Sequence, residues 1–160
     1  MPQLVLYGSA DQSSVCLTAA HLHNPTLVNT TPTRPAKILI VEDEFILATN
    51  LKETLEALGY TVTGIAASFE ATLRQVTQDR PDVVLMDIRL PGDWDGIEIA
   101  TFLWRTFQLP AVYLTGHSDR ATLERAQESL PFGYMVKLVQ ESELVTAIHM
   151  AYRCCQAIHP

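Results

Sequence analysis

From Lys37 onward, short apolar runs alternate with stretches whose apolar positions recur every three or four residues. "KILIVE" is apolar and β-branched, as a buried strand requires; Leu47, Leu51, Leu55 and Leu58 then recur at helical spacing until Gly59 ends them. "YTVTGIAA" predicts a second strand, and Ser68 an N-cap for a helix reaching about Asp79. After Pro81 come a strand, "DVVLMD", a helix from about Gly96 to Phe107, and another strand, "PAVYLT". Ser118 is placed to cap "DRATLERAQESL", "FGYMVK" predicts the fifth strand, and "ESELVTAIHMAYRCC" closes as an amphipathic helix.

Strands alternating with helices, and apolar almost throughout, imply an α/β fold whose parallel sheet is covered by helices on both faces. Right-handed crossovers leave few topologies. For five such units the expected sheet is five-stranded in the flavodoxin-like order 2-1-3-4-5, which brings ligands to the carboxyl ends of strands 1 and 3. Those ends are chemically loaded. The first strand runs into Glu42 and Asp43, the third stops on Asp87, the fourth on Thr115 and the fifth on Lys137.

Carboxylates a few ångströms apart repel one another unless something compensates. A hard divalent cation removes the conflict: Mg²⁺ prefers oxygen, keeps several waters, and is held by one or two carboxylates together with a phosphoryl group. Glu42, Asp43 and Asp87 suit that ion, while Lys137 and Thr115 suit the oxygens of a phosphoryl group on Asp87.

Composition narrows the setting. The chain has 160 residues, 48% of them apolar, enough for one compact core. No window approaches the roughly 18 apolar residues of a membrane span, and the first basic residue is Arg34, so a cytoplasmic protein without a secretory leader is expected. Cys16, Cys154 and Cys155 lack metal-site or disulfide-framework spacing and read as reduced thiols. Residues 1–36 carry only Asp11 and Arg34, so the net charge of −7 falls on the remainder; without a basic run, direct nucleic-acid binding is not expected, nor is a membrane contact.

The Thr/Pro/Asn-rich stretch "NPTLVNTTPTRPA" marks a boundary: 1–36 reads as a flexible tail or linker, 37–155 as the domain, and 156–160 as a short tail. His21 and His23, two imidazoles without further ligands, make too weak a metal site to pursue.

Taken together, "ILIVEDE", "VVLMDIRLPG" with the following "DG", "VYLTG" and "FGYMVK" resemble the receiver domain of bacterial two-component response regulators, as in chemotaxis-type single-domain regulators. The resemblance implies that Asp87 is the phosphoacceptor, taking a phosphoryl group from a phosphohistidine or a small acyl phosphate. It further implies that Glu42 and Asp43 hold Mg²⁺ together with Asp87 and the backbone carbonyl of Arg89. Thr115 would be the switch hydroxyl, Lys137 the phosphoryl-gripping lysine and Tyr134 the aromatic switch, with Arg89 and His117 tuning how fast the group is lost.

Such a protein is not a conventional enzyme, although it catalyses its own Mg²⁺-dependent phosphorylation and dephosphorylation. Its implied partners are a sensor histidine kinase or phosphotransfer protein, a downstream target, and a second copy pairing through the last helix. The output is a changed surface on the fourth helix, fifth strand and fifth helix, with no appended output domain expected before Pro160.

Two departures stand out. The family has Pro directly after the lysine, in a cis peptide, whereas here Leu138 follows Lys137, so a trans bond and a reshaped loop are expected. The "RLPGDWDG" loop is one residue longer than the common form, bringing in Asp93 and Trp94, the latter expected to cover the pocket rim or the core. The alternative is a receiver-shaped binding or dimerisation module that is never phosphorylated. A Mg²⁺-dependent phosphohydrolase is a weaker third, because such enzymes carry a second Asp two residues after the nucleophile, where this chain has Arg89.

Overall fold

The computed structural model describes residues 34–115, 120–129, 134–136 and 140–158, without the side chains of Thr115, Leu123, Gln127, 134–136 and Ile158. Ten elements alternate: β1 Lys37–Val41, α1 Phe45–Ala57, β2 Thr61–Ala66, α2 Phe69–Gln78, β3 Val83–Asp87, α3 Gly96–Phe107, β4 Ala111–Thr115, α4 Arg120–Ser129, β5 Tyr134–Val136 and α5 Glu141–Ile158. The strands form one parallel sheet in the order β2-β1-β3-β4-β5, to which β5 adds three residues. The structure is thus the parallel α/β sheet with covering helices that the alternation implies.

Burial explains the unbroken apolar runs. Every residue of β3 is buried, and so are Ile38 to Val41 of β1, because these central strands have helices over both faces. On one side α2 and α3 meet through Phe69 and Phe102 in edge-to-face contact, and α4 reaches the start of α3 through Arg125 and Asp95. On the other, the end of α1 and α5 flank one groove lined by Leu58, Tyr60, Val145 and Tyr152. The edge strand β2 is only half buried, consistent with its Thr-rich sequence.

Local signals set the helix ends. Ser68 Oγ accepts from the Ala71 backbone N–H at 3.3 Å, so the predicted cap is present. Gly59, at φ 89°, supplies the left-handed residue that turns the chain from α1 into β2. At α3, Asp95 Oδ1 accepts from the Glu98 N–H while the Asp95 N–H donates to Glu98 Oε2, both at 2.9 Å, a reciprocal capping box. The predicted cap Ser118 lies outside the described residues, as do His21, His23 and Cys16.

One buried polar contact ties α4 to the sheet. Tyr113, fully buried in β4, hydrogen-bonds Ser129 Oγ at 2.8 Å, and Ser129 Oγ donates to the Ala126 carbonyl. Desolvation raises the Tyr113 pKa well above the ordinary phenol value, with the Ser129 bond acting in the opposite direction. Unfolded, this phenol ionises near pH 10, so the folded state keeps its full stability below that pH and loses it as pH rises toward the raised folded value. Tyr113→Phe should therefore shrink the fall in melting temperature between pH 8 and pH 11. At pH 8 it should cost no more than about 1 kcal/mol, because Ser129 retains its Ala126 partner. An unchanged alkaline drop in the variant would contradict this.

Candidate functional site

The carboxyl ends of β1 and β3 are neighbours, paired in register from Ile38 with Val83 to Val41 with Met86. The next residues, Glu42 and Asp87, therefore emerge side by side, with Asp43 one position further on. Carboxylate oxygens of Glu42, Asp43 and Asp87 all lie within 4.8 Å of one another. Glu42 is 1% exposed and Asp87 3%, whereas Asp43 is open to solvent.

Backbone donors orient the buried pair. Glu42 Oε1 accepts from the Glu44 N–H at 3.0 Å, and Asp87 Oδ1 from the Arg89 N–H at 3.2 Å. These bonds fix each carboxylate against its own turn and aim the acids at a common point. Below that point the backbone is crowded: Gly96 N–H donates to the Ile88 carbonyl at 3.0 Å, and a Cβ at Gly96 would come within 1.8 Å of the Asp87 carbonyl oxygen. Only glycine allows α3 to start this close to the acid.

A cleft of about 470 Å³ opens beside the three acids, lined by Asp43, the turn Ile88 to Pro91, Asp95, and Thr122 and Arg125 from α4. Trp94 stands nearby, on the long loop, but not among these lining residues. Its ring stacks on Phe69 at 4.4 Å and 7°, and meets Phe102 edge-on, so it covers the α2–α3 side of the core and pins the loop to it. It keeps 40% of its surface exposed. Next to the acids, at the start of α1, Phe45 and Ile46 are 76% and 71% exposed.

Of the residues singled out in the sequence, the structure brings together Glu42, Asp43, Asp87 and the turn at Arg89. Thr115 ends β4 and Tyr134 begins β5, on adjacent paired strands, but their side chains lie outside the described residues. So do Lys137, His117 and the peptide bond before Leu138. Sequence reasoning missed Asp95 and Arg125, which form an ion pair at 2.8 Å on the cleft wall. Asp95 was findable, because Asp-x-x-Glu before an apolar run is the capping-box signature. Arg125 carries no such signal.

Comparison with known proteins agrees with this geometry. A family model described as "Response regulator receiver domain" matches residues 38–149. The transcriptional regulatory protein PdtaR of Mycobacterium tuberculosis is 34% identical over 117 residues, covering 73% of this chain and 57% of that protein. The positive alginate biosynthesis regulatory protein of Pseudomonas aeruginosa is 37% identical over 118 residues, 72% of this chain and 47% of that one. The chain thus spans about half the length of the curated relatives it matches. Among solved structures, the signal receiver domain of a modulated diguanylate cyclase from Desulfovibrio desulfuricans superposes with a TM-score of 0.73 at 37% identity, covering 78% of this chain and 99% of that domain. Among the described residues, no helix is long and apolar enough to cross a membrane. With its motifs, its parallel sheet and a family match over most of its length, the chain belongs to the response regulator receiver domain family.

Proposed function

We propose that Asp87 is the phosphoacceptor of a two-component signalling system, and that its phosphorylation alters the surface formed by α4, β5 and α5 to control a partner. The single observation that carries this is the meeting of Glu42, Asp43 and Asp87 within 4.8 Å at the carboxyl edge of adjacent parallel strands. An all-oxygen set of three carboxylates, two of them buried, fits Mg²⁺ and leaves room for waters and a phosphoryl oxygen. Asp43, Glu42 and Asp87 would hold the ion, with the Arg89 carbonyl as a further ligand. When bound, Mg²⁺ supplies positive charge to the acids and to the equatorial oxygens of the transferring group.

The chain's own residues do the rest. An Asp87 carboxylate oxygen attacks phosphorus, the P–N bond to the donor imidazole breaks, and that nitrogen leaves with the electron pair. The Arg89 N–H holds the other Asp87 oxygen, Oδ1, and so orients the nucleophile. Lys137 and Thr115 are assigned to the phosphoryl oxygens, and Thr115 with Tyr134 to the switch, on the family resemblance. Phosphorylation places roughly two negative charges in the cleft, enough to bias a loop and helix with two arrangements. The exposed Phe45 and Ile46, beside the acids on α1, suit contact with a histidine kinase or phosphotransfer protein delivering its phosphohistidine. A cytoplasmic site of action and pairing with a second copy belong to the same reading.

Incubation with Mg²⁺ and acetyl phosphate tests it. Intact mass should rise by one phosphoryl group. Asp43→Ala should lower Mg²⁺ affinity at least tenfold, read by tryptophan fluorescence, because the remaining acids are buried and fewer. If no small phosphodonor or kinase ever shifts the mass, the receiver-shaped binding module is the better reading.

A further inference from the structure

Two oppositely charged side chains on the cleft wall have no part in the chemistry above. Arg125 projects from α4 and donates from a terminal guanidinium nitrogen to Asp95 Oδ2 at 2.8 Å. The other oxygen of Asp95 is engaged as the cap of α3, accepting from the Glu98 N–H. Asp95 is therefore fixed by its own helix and keeps a partner whether or not Arg125 stays. Arg125 is the movable half of the pair. Both side chains line the same cleft as Asp43, whose carboxylate shares the acidic cluster with Asp87.

We propose that Arg125 is a phosphoryl-binding residue held in reserve: it pairs with Asp95 while Asp87 is a bare carboxylate, and turns to the phosphoryl oxygens once Asp87 is phosphorylated. The inference rests on Asp87 being the acceptor and adds a residue to that site.

Magnitudes favour the exchange. The pair is open to solvent, its side chains 52% and 30% exposed, and an ion pair screened in this way is held only weakly. A phosphoryl group brings close to two negative charges and three strong acceptors, and a guanidinium fork matches such oxygens better than it matches one carboxylate oxygen. The dianion outcompetes Asp95. Because Arg125 sits on α4, its turn pulls on that helix. The end of α4 is anchored at Ser129 by buried Tyr113, so the movement falls on the turns before it. The acidic cluster thereby gains a route to α4 through described side chains.

The test exploits a difference in sign. Full-length protein is titrated with beryllofluoride, a mimic of the acyl phosphate, at fixed Mg²⁺, with tryptophan fluorescence giving affinity and hydrogen exchange reporting residues 120–129. Asp95→Asn keeps the cap, since Asn caps as well as Asp, but releases Arg125. It should tighten beryllofluoride binding about threefold. Arg125→Gln should weaken binding about threefold and abolish the exchange response of α4, and Arg125→Lys should fall between. A pair that is merely structural is broken equally by both neutralising substitutions. Shifts in the same direction, or no shift with Arg125→Gln, would therefore overturn the proposal while leaving Asp87 as acceptor. Failure of the unsubstituted protein to bind beryllofluoride with Mg²⁺ would remove the acceptor reading, and this one with it.

Discussion

Asp87→Asn is expected to abolish phosphoryl incorporation, with the mass gain from acetyl phosphate and Mg²⁺ falling below detection, at least about a hundredfold down. The reason is chemical: the amide keeps the side chain's shape, but its carbonyl oxygen carries no negative charge and is too weak a nucleophile to attack phosphorus. The same substitution should raise stability in metal-free buffer. Asp87 is buried against Glu42, with Asp43 close by, so removing its charge relieves repulsion within the cluster. The metal-free melting temperature should rise by a few degrees, on the order of 1 kcal/mol for a domain of this size, and the further rise on adding Mg²⁺ should shrink. Opposite effects on activity and stability are characteristic of a functional carboxylate. Phosphorylation that persists in the variant would place the acceptor elsewhere, and a lowered melting temperature would mean that Asp87 stabilises the fold.

The second large effect is expected at Gly96. An alanine Cβ there would sit 1.8 Å from the Asp87 carbonyl oxygen, 2.8 Å from its carbon and 2.9 Å from Ile88 Cα. All three are backbone atoms, so no side chain can rotate away. The chain cannot simply part either, because the Gly96 N–H is bonded to the Ile88 carbonyl and Asp95 caps the same helix. Gly96→Ala should cost on the order of 3 kcal/mol, lowering the melting temperature by about 10 °C. The displaced backbone carries the nucleophile, so phosphoryl acceptance at temperatures where the variant is folded should also slow. A melt within 2 °C of the unsubstituted protein would show that the turn has slack.

How much of this could be read from the sequence differs by element. The β3 run was legible because a strand buried on both faces must be apolar throughout, and its abrupt end on Asp87 marked the carboxyl edge of a parallel sheet. Ser68 was legible because a cap acts through a side chain three residues from its partner. Trp94 was only half legible. Its loop looked long and its ring needed cover, but the stack on Phe69 and the edge contact with Phe102 join residues 25 and 8 positions away along separate helices. Arg125 was silent, since a lone arginine on a polar helix looks the same whether it faces solvent or a cleft.

By itself, then, the sequence determined what is periodic or local: the alternation of strands and helices, the caps, and the set of acids at strand ends. The tertiary structure alone decided which of those ends approach within 4.8 Å, that Gly96 rests on the backbone of Asp87, and that Arg125 meets Asp95 across 30 residues. The division follows from range. Periodicity and capping are satisfied within a few residues, whereas the register between strands and the seat of a helix on a sheet emerge only when the whole core packs at once.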